Sequence, residues 1–280
     1  MKLSLNSDVI AALFVKPKKA AILHRKATTA NKYDQILVVL GEWGHLRVAE
    51  IARAIWPSAK YSVQLAYRAI RKLEIAGHVL ARANAVGTQS YVLTRRGAAH
   101  VEALGYNARH GLDLCSISGA TFIHRSIATR FGIEAVLAGQ IVYGEHKISG
   151  GLEIFRSEGL RRQFGKLPDL LFGETLGEGL WWGEVESAAK SSAEIARCLR
   201  IATLSKTLFH GTQRKLLGVV FICDGRFNHE RRIQNVAKVL WANISPEKRL
   251  ELSRRVQFVR VQLGTRACWE NCSAPVALKI

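Results

Sequence analysis

The stretch that most constrains this chain runs from Pro168 to Glu186. A short apolar segment opens with Pro168-Asp169, a glycine-rich run follows from Gly173 to Gly179, and the sequence then reads Leu180-Trp-Trp-Gly-Glu184-Val-Glu186. Leu167 to Phe172 carries its proline at the start, where a missing N–H is tolerated, and Leu180 to Glu186 is aromatic and β-branched, so the pattern predicts two strands joined as a hairpin. Side chains alternate along a strand, which puts Glu184 and Glu186 on one face. Closing the hairpin brings Asp169 beside them. Carboxylates this close repel unless a cation sits between them, and all-oxygen donors suit Mg²⁺ or Mn²⁺. The expected metal ligands are Asp169, Glu184 and Glu186. The competing reading of the two glutamates is a solvent-facing strand edge; Trp181, Trp182 and Val185 speak against it, because paired glutamates on a packed strand are costly unless they face a cleft.

Upstream, residues 33–110 show helical periodicity three times. Ile36, Leu37, Val39 and Leu40 mark a first helix ending near Gly41 to Gly44, and Val48, Ile51, Ala52 and Ile55 mark a second, stopped by Pro57. A third helix is predicted from Lys60 to Ala76, with Ala66, Ile70 and Leu73 inward and Gly77 placed for a left-handed cap. Two short strands, Val79–Arg82 and Tyr91–Leu93, then flank a polar tip around Gly87. Residues 106–118 read as a junction, and Thr121 to Ala138 as a helix that carries His124. A strand is expected at Leu152 to Phe155, before the basic run Arg156 to Lys166. Beyond the hairpin the pattern predicts a helix from Ser187 to Leu208 carrying Lys190 in its first turns, a buried strand at Leu216–Cys223, a helix at Asn228–Trp241 and a strand at Val256–Leu263. This alternation argues for an α/β domain with a mixed sheet over residues 119–280.

Charge narrows the partners. With 41 Lys and Arg against 22 Asp and Glu, the net charge is +19. The excess is denser early: residues 1–110 hold 17 basic and 6 acidic residues, residues 111–280 hold 24 and 16. Such a balance points to a polyanion, and double-stranded DNA fits better than a membrane because no basic amphipathic helix with a wide apolar face is present. Residues 1–32, with Lys16-Pro-Lys-Lys19 and Arg25-Lys26, read either as an arm lying along phosphates or as a solvated tail. Five thinly spread cysteines, no membrane-length apolar run and no signal-peptide pattern lead us to expect a reduced, cytoplasmic protein.

Two resemblances add to this. Ile70-Arg-Lys-Leu-Glu-Ile-Ala-Gly-His-Val79, the hairpin after it and Thr94-Arg-Arg-Gly97 resemble a winged helix-turn-helix domain. The likeness implies DNA binding, with Ser62, Gln64, Tyr67, Arg68, Arg71 and Lys72 on the groove-facing helix and Arg82, Arg95 and Arg96 on phosphates; winged helices also serve as protein–protein modules. The second domain resembles the PD-(D/E)xK restriction-endonuclease-like superfamily, with Pro-Asp on one strand and an acidic triplet on the next. Glu186 stands in the lysine position of that triplet, and Lys190 supplies the charge from downstream. The combination, over roughly residues 33–245, looks like the MobC-class plasmid relaxases and related replication-relaxation proteins, whose pattern also places a histidine and a Ser-Glu where His124 and Ser157-Glu158 stand. The resemblance implies an α/β (α+β overall) chain and a metal-dependent nicking endonuclease with Asp169, Glu184, Glu186, Lys190, Glu158 and His124 as catalytic residues, working with conjugation or replication accessory proteins. The alternative is a non-catalytic DNA-binding regulator whose nuclease-like domain is a scaffold.

Overall fold

A computed structural model describes residues 32–151, 155–188 and 190–279. The basic arm therefore lies outside the described residues, apart from Lys32, as do residues 152–154 of the strand expected before Arg156.

The first 70 described residues form three helices and a hairpin. Helix α1 (Lys32–Trp43), α2 (Val48–Ile55) and α3 (Ser62–Ile75) bury Ile36, Leu37, Leu40, Ile51, Ala66, Ile70 and Leu73 in one core. The spacing of these residues at three and four explains why the segments coil: each helix presents one apolar stripe, and none is stable without the others. Helix α3 ends as its sequence predicts. Gly77 adopts φ +74°, its N–H donates to Glu74 O at 2.9 Å and the N–H of His78 donates to Leu73 O at 2.9 Å, which satisfies the last carbonyls. Strands β1 (Val79–Ala83) and β2 (Gln89–Leu93) then pair antiparallel. Arg95 and Arg96, expected in an extended tail after the hairpin, instead open a helix, α4 (Arg95–Ala103), because Thr94 caps it by accepting from the N–H of Gly97 at 3.1 Å.

The remainder is a mixed α/β layer structure. Helix α5 (Gly119–Leu137) leads into β3 (Gln140–Gly144), the short α6 (Glu145–Gly150), α7 (Ser157–Phe164), β4 (Leu170–Glu174), β5 (Gly179–Glu186), α8 (Ser192–Thr203), β6 (Lys215–Asp224), α9 (His229–Leu240), α10 (Pro246–Arg254) and β7 (Val256–Leu263). Strands β3, β4 and β5 form an antiparallel meander; β5, β6 and β7 run parallel, and β8 (Trp269–Cys272) and β9 (Val276–Ala277) pair antiparallel with β7. Helix α5 covers one face through Ile127 and Phe131 against Phe172, Val185 and Ile222. Helices α8 and α9 cover the other through Ile195, Leu199 and Ile233 against Leu180, Trp182 and Phe221. Both faces being covered, the central strands read as unbroken apolar runs. No described helix is long and apolar enough to cross a membrane, and all five cysteines are free.

The two cores are locked together. Arg53 Nη2 meets Glu134 Oε2 at 2.6 Å, Lys147 Nζ meets Glu42 Oε1 at 2.5 Å, and Arg47 donates to the carbonyls of Arg266 and Ala267 at 3.0 Å. Trp43 is wedged where only glycine fits: a Cβ on Gly132 would lie 2.1 Å from its Cη2. In an exposed helix Gly→Ala gains about 1 kcal/mol. Here Gly132→Ala should instead destabilise by about 1–3 kcal/mol through overpacking, and Trp43→Leu in the same chain should recover much of that loss in urea unfolding. A single variant more stable than its parent would contradict this seam.

Candidate active site around a buried lysine and carboxylate cluster

Asp169 sits one residue before β4, held by its backbone: its N–H donates to Gly183 O at 3.1 Å, and its carbonyl accepts from the N–H of Glu145 at 3.0 Å. This fixes its carboxylate between two elements. Oδ2 accepts from the N–H of Val185 at 2.7 Å, and Oδ1 lies 2.9 Å from Nε2 of His124 on α5. Burial opposes the ionisation of Asp169, yet His124, Lys190 and the Val185 N–H together outweigh it and bring the carboxyl down to about 2. Burial likewise works against the charged form of His124, and the carboxylate of Asp169 overcomes it and raises the imidazole above its usual range.

Glu184 and Glu186 do share a face of β5, and it is a buried one: their relative exposures are 0% and 1%. The solvent-edge reading is thereby set aside. Glu184 Oε1 accepts from Trp182 Nε1 at 2.5 Å, and its Oε2 meets Lys166 Nζ at 2.6 Å and Lys190 Nζ at 3.4 Å. Glu186 Oε1 accepts from Lys190 at 2.9 Å, and the same ammonium donates to Val185 O at 3.0 Å. The cation that paired carboxylates require is thus, in this arrangement, Lys190, assisted by Lys166. Lys190 is raised well above its usual range, burial being overridden by Glu184, Glu186 and Asp169.

Lys190 reaches this position from a loop. The expected helix start at Ser187 is incorrect: Ser191 caps α8, its Oγ accepting from the N–H of Glu194 at 3.2 Å while Glu194 Oε2 accepts from the N–H of Ser191 at 2.8 Å. That capping box fixes the first turn after Lys190, so the lysine is free to fold back over β5. Glu158 is not brought to the cluster. It stands on α7, its side chain 83% exposed, paired with Arg162 at 2.8 Å in an i,i+4 geometry, because the face of α7 that packs carries Leu160 and Phe164. Lys166 and Trp182 were not singled out from sequence, although each had a signal: a basic residue two before Pro168, and an indole on the same strand face as Glu184. Of the residues expected to meet DNA, Gln64, Tyr67, Arg68, Arg71, Lys72, Arg82, Arg95 and Arg96 are exposed and Ser62 is half-buried.

The donor set fits a hard divalent cation in type, since carboxylate and carbonyl oxygens are what Mg²⁺ and Mn²⁺ take. Burial pushes Glu186 up to about 7 in spite of Lys190, so this carboxylate is under-compensated and further positive charge would be favoured there. Entry of such a cation requires Lys190 to yield Glu186. Among the described residues no three His, Cys, Asp or Glu side chains are already disposed as a ligand set.

Beside Asp169 opens a cavity of about 360 Å³, walled by Trp43 and His45 from the first core and by Arg125, Glu145 and His146 from the second, with Arg109 at its side. Burial lowers His45 and His146 to about 4, helped at His146 by Arg109 and at His45 by Arg125. Folded-state values below the ordinary 6.5 mean that the unfolded chain takes up protons first. The stability from these rings is complete above pH 6.5 and is lost as pH falls toward 4. Glu186 opposes this, since its raised value favours the folded chain as pH falls from 7 toward its ordinary 4.5. Two imidazoles against one carboxyl leave a net loss of about 1.4 kcal/mol per pH unit between 6.5 and 4.5. Urea midpoints at pH 7, 6 and 5 should fall in that order; a flat profile would remove the two rings as buried neutral groups.

Comparisons of the chain with protein-family models, with curated proteins and with solved structures return no match.

Proposed function

We propose that this chain is a metal-dependent DNA-nicking endonuclease of the kind its sequence resembles, with residues 33–110 acting as a winged helix on duplex DNA and residues 119–280 as a PD-(D/E)xK-like nuclease domain. The observation that carries the reading is the convergence of Asp169, Glu184, Glu186 and Lys190 at one end of β5. Supporting it are the element order of helix, antiparallel meander, helix and parallel strand, and the exposed basic face of α3 flanked by Arg82, Arg95 and Arg96.

Asp169, Glu184 and Glu186 would hold Mg²⁺ or Mn²⁺, which when bound supplies positive charge to the phosphodiester oxygens. The ammonium of Lys190, held at the carboxylates, supplies a second positive charge at the same place and stabilises charge that develops on phosphate. His124 holds Asp169 in position through its Nε2–H. The test is conversion of supercoiled plasmid to open circles. Nicking with Mg²⁺ or Mn²⁺ and none with chelator is the expected result; equal conversion with chelator would sink the metal-dependent reading.

One observation favours a second reading, a DNA-binding regulator with a degenerate nuclease domain: Lys190 and Lys166 already neutralise the buried carboxylates, so the fold stands without a metal. Mn²⁺ separates the two. A working site binds the cation in the folded chain only, and millimolar Mn²⁺ should then raise the melting temperature by mass action. An unchanged melt together with tight duplex binding would favour the regulator.

A further inference from the structure

We propose that the cavity beside Asp169 receives a single unpaired nucleotide of a DNA strand, the one adjoining the phosphodiester at the carboxylate cluster. This rests on the nuclease reading above and names the form of its substrate. At about 360 Å³ the cavity lies at the small end of ligand pockets, which run from about 300 to 1,000 Å³, and it is too small for a base pair. A base that enters it has left its stack, as in enzymes that act on extruded nucleotides.

The walls carry the groups such a unit needs. His45 Nδ1 and His146 Nε2 are buried and have no hydrogen-bond partner among the described residues, and His45 is only 4% exposed. An unpartnered buried polar atom costs about 1–3 kcal/mol, so two of them in one wall call for an occupant with polar edges. A neutral imidazole offers one donor and one acceptor, which matches the mixed edge of a base. Trp43 supplies an aromatic surface in the same wall. Arg109 donates one N–H to Gly150 O at 2.6 Å, and Arg125 lies 3.8 Å from Glu145; a guanidinium has five donors, and the others serve phosphate oxygens. Asp169 and Glu145 share the wall with these arginines. Their negative charge disfavours a free nucleotide with a dianionic phosphate and tolerates the single charge of a phosphodiester, which points to a strand as the source.

The experiment measures binding in chelator, where no cleavage occurs, by anisotropy of the four labelled single-stranded deoxy homopentamers. Each is compared with a pentamer of the same backbone whose central base is missing. At least one intact pentamer should bind ten-fold or more tighter than its abasic partner. Ser149→Trp, which fills the mouth of the cavity from an exposed position, and His45→Phe, which keeps the stack on Phe122, should each abolish that difference while duplex affinity stays within two-fold. Equal binding of intact and abasic strands, or variants that preserve the difference, would overturn the proposal. So would free mononucleotides competing as well as the pentamer, which would make the source a soluble nucleotide. Because the assay reads binding without metal, it fails or succeeds independently of plasmid nicking: nicking with no base-dependent binding removes the pocket alone, and base-dependent binding without nicking removes the nuclease alone.

Discussion

Asp169→Asn should lower plasmid nicking by about 100-fold or more while leaving the chain folded. Asparagine keeps the size of the side chain and an oxygen for the Val185 N–H at 2.7 Å, so the local backbone has no reason to move. What is lost is the charge that pairs with His124 and that would hold a divalent cation. Removing groups that merely support metal ligands already costs about 10- to 100-fold, and a direct ligand should cost at least as much. The stability change is smaller. The carboxyl is held at about 2 against an ordinary 3.8, a stabilisation present above pH 3.8 and lost as pH falls through 2, worth about 2 kcal/mol at neutral pH. A variant that nicks within three-fold of the parent would show that Asp169 is not in the site.

Lys190→Met is the complementary case, with a large expected effect on stability. Methionine fills much of the space of the aliphatic stem but leaves Glu184 and Glu186 buried with less compensation. Breaking a buried ion pair from one side costs about 3–5 kcal/mol. Glu184 keeps Lys166 and Trp182, so the deficit falls mainly on Glu186 and on the loop before α8. The raised value of Lys190 means that its contribution is complete below its ordinary 10.5, and urea unfolding at pH 8 samples it fully while keeping Glu186 mostly ionised. Lys190→Met with Glu186→Gln should regain part of the loss, since removing both partners is milder than removing one. If the single variant unfolds within 1 kcal/mol of its parent, the cluster does not hold the end of β5.

Much of this architecture is visible in the chain itself. Period-3.6 stripes place α1, α2 and α3 within a residue or two, Gly77 marks a cap, and the aromatic and β-branched run from Leu180 to Glu186 declares a strand whose glutamates share a face. These are local properties, fixed by backbone sterics and by which side of an element is apolar. Other elements are hidden because their signals are weak or contested. Strand β3 has only Ile141, Val142 and Tyr143 to announce it, and it gains its place by pairing with β4. The start of α8 was misread by four residues because the helical pattern after Ser187 outweighed the capping box at Ser191.

What the sequence determines by itself is therefore the set of elements and the presence of three acidic residues able to meet. Which cations meet them was a tertiary decision. Lys166 is 18 residues from Glu184, and His124 comes to Asp169 from a helix packed on the opposite face of the sheet. Glu158, a neighbour of the Pro-Asp pair in sequence, is turned to solvent by the packing of Leu160 and Phe164. Hydrophobic burial sets these orientations, because an element rotates to hide its apolar stripe and its polar residues go where that rotation leaves them. The cavity beside Asp169 has the same origin: it exists only where Trp43 and His45 of one core abut Arg125 and His146 of the other, a juxtaposition that no local pattern encodes.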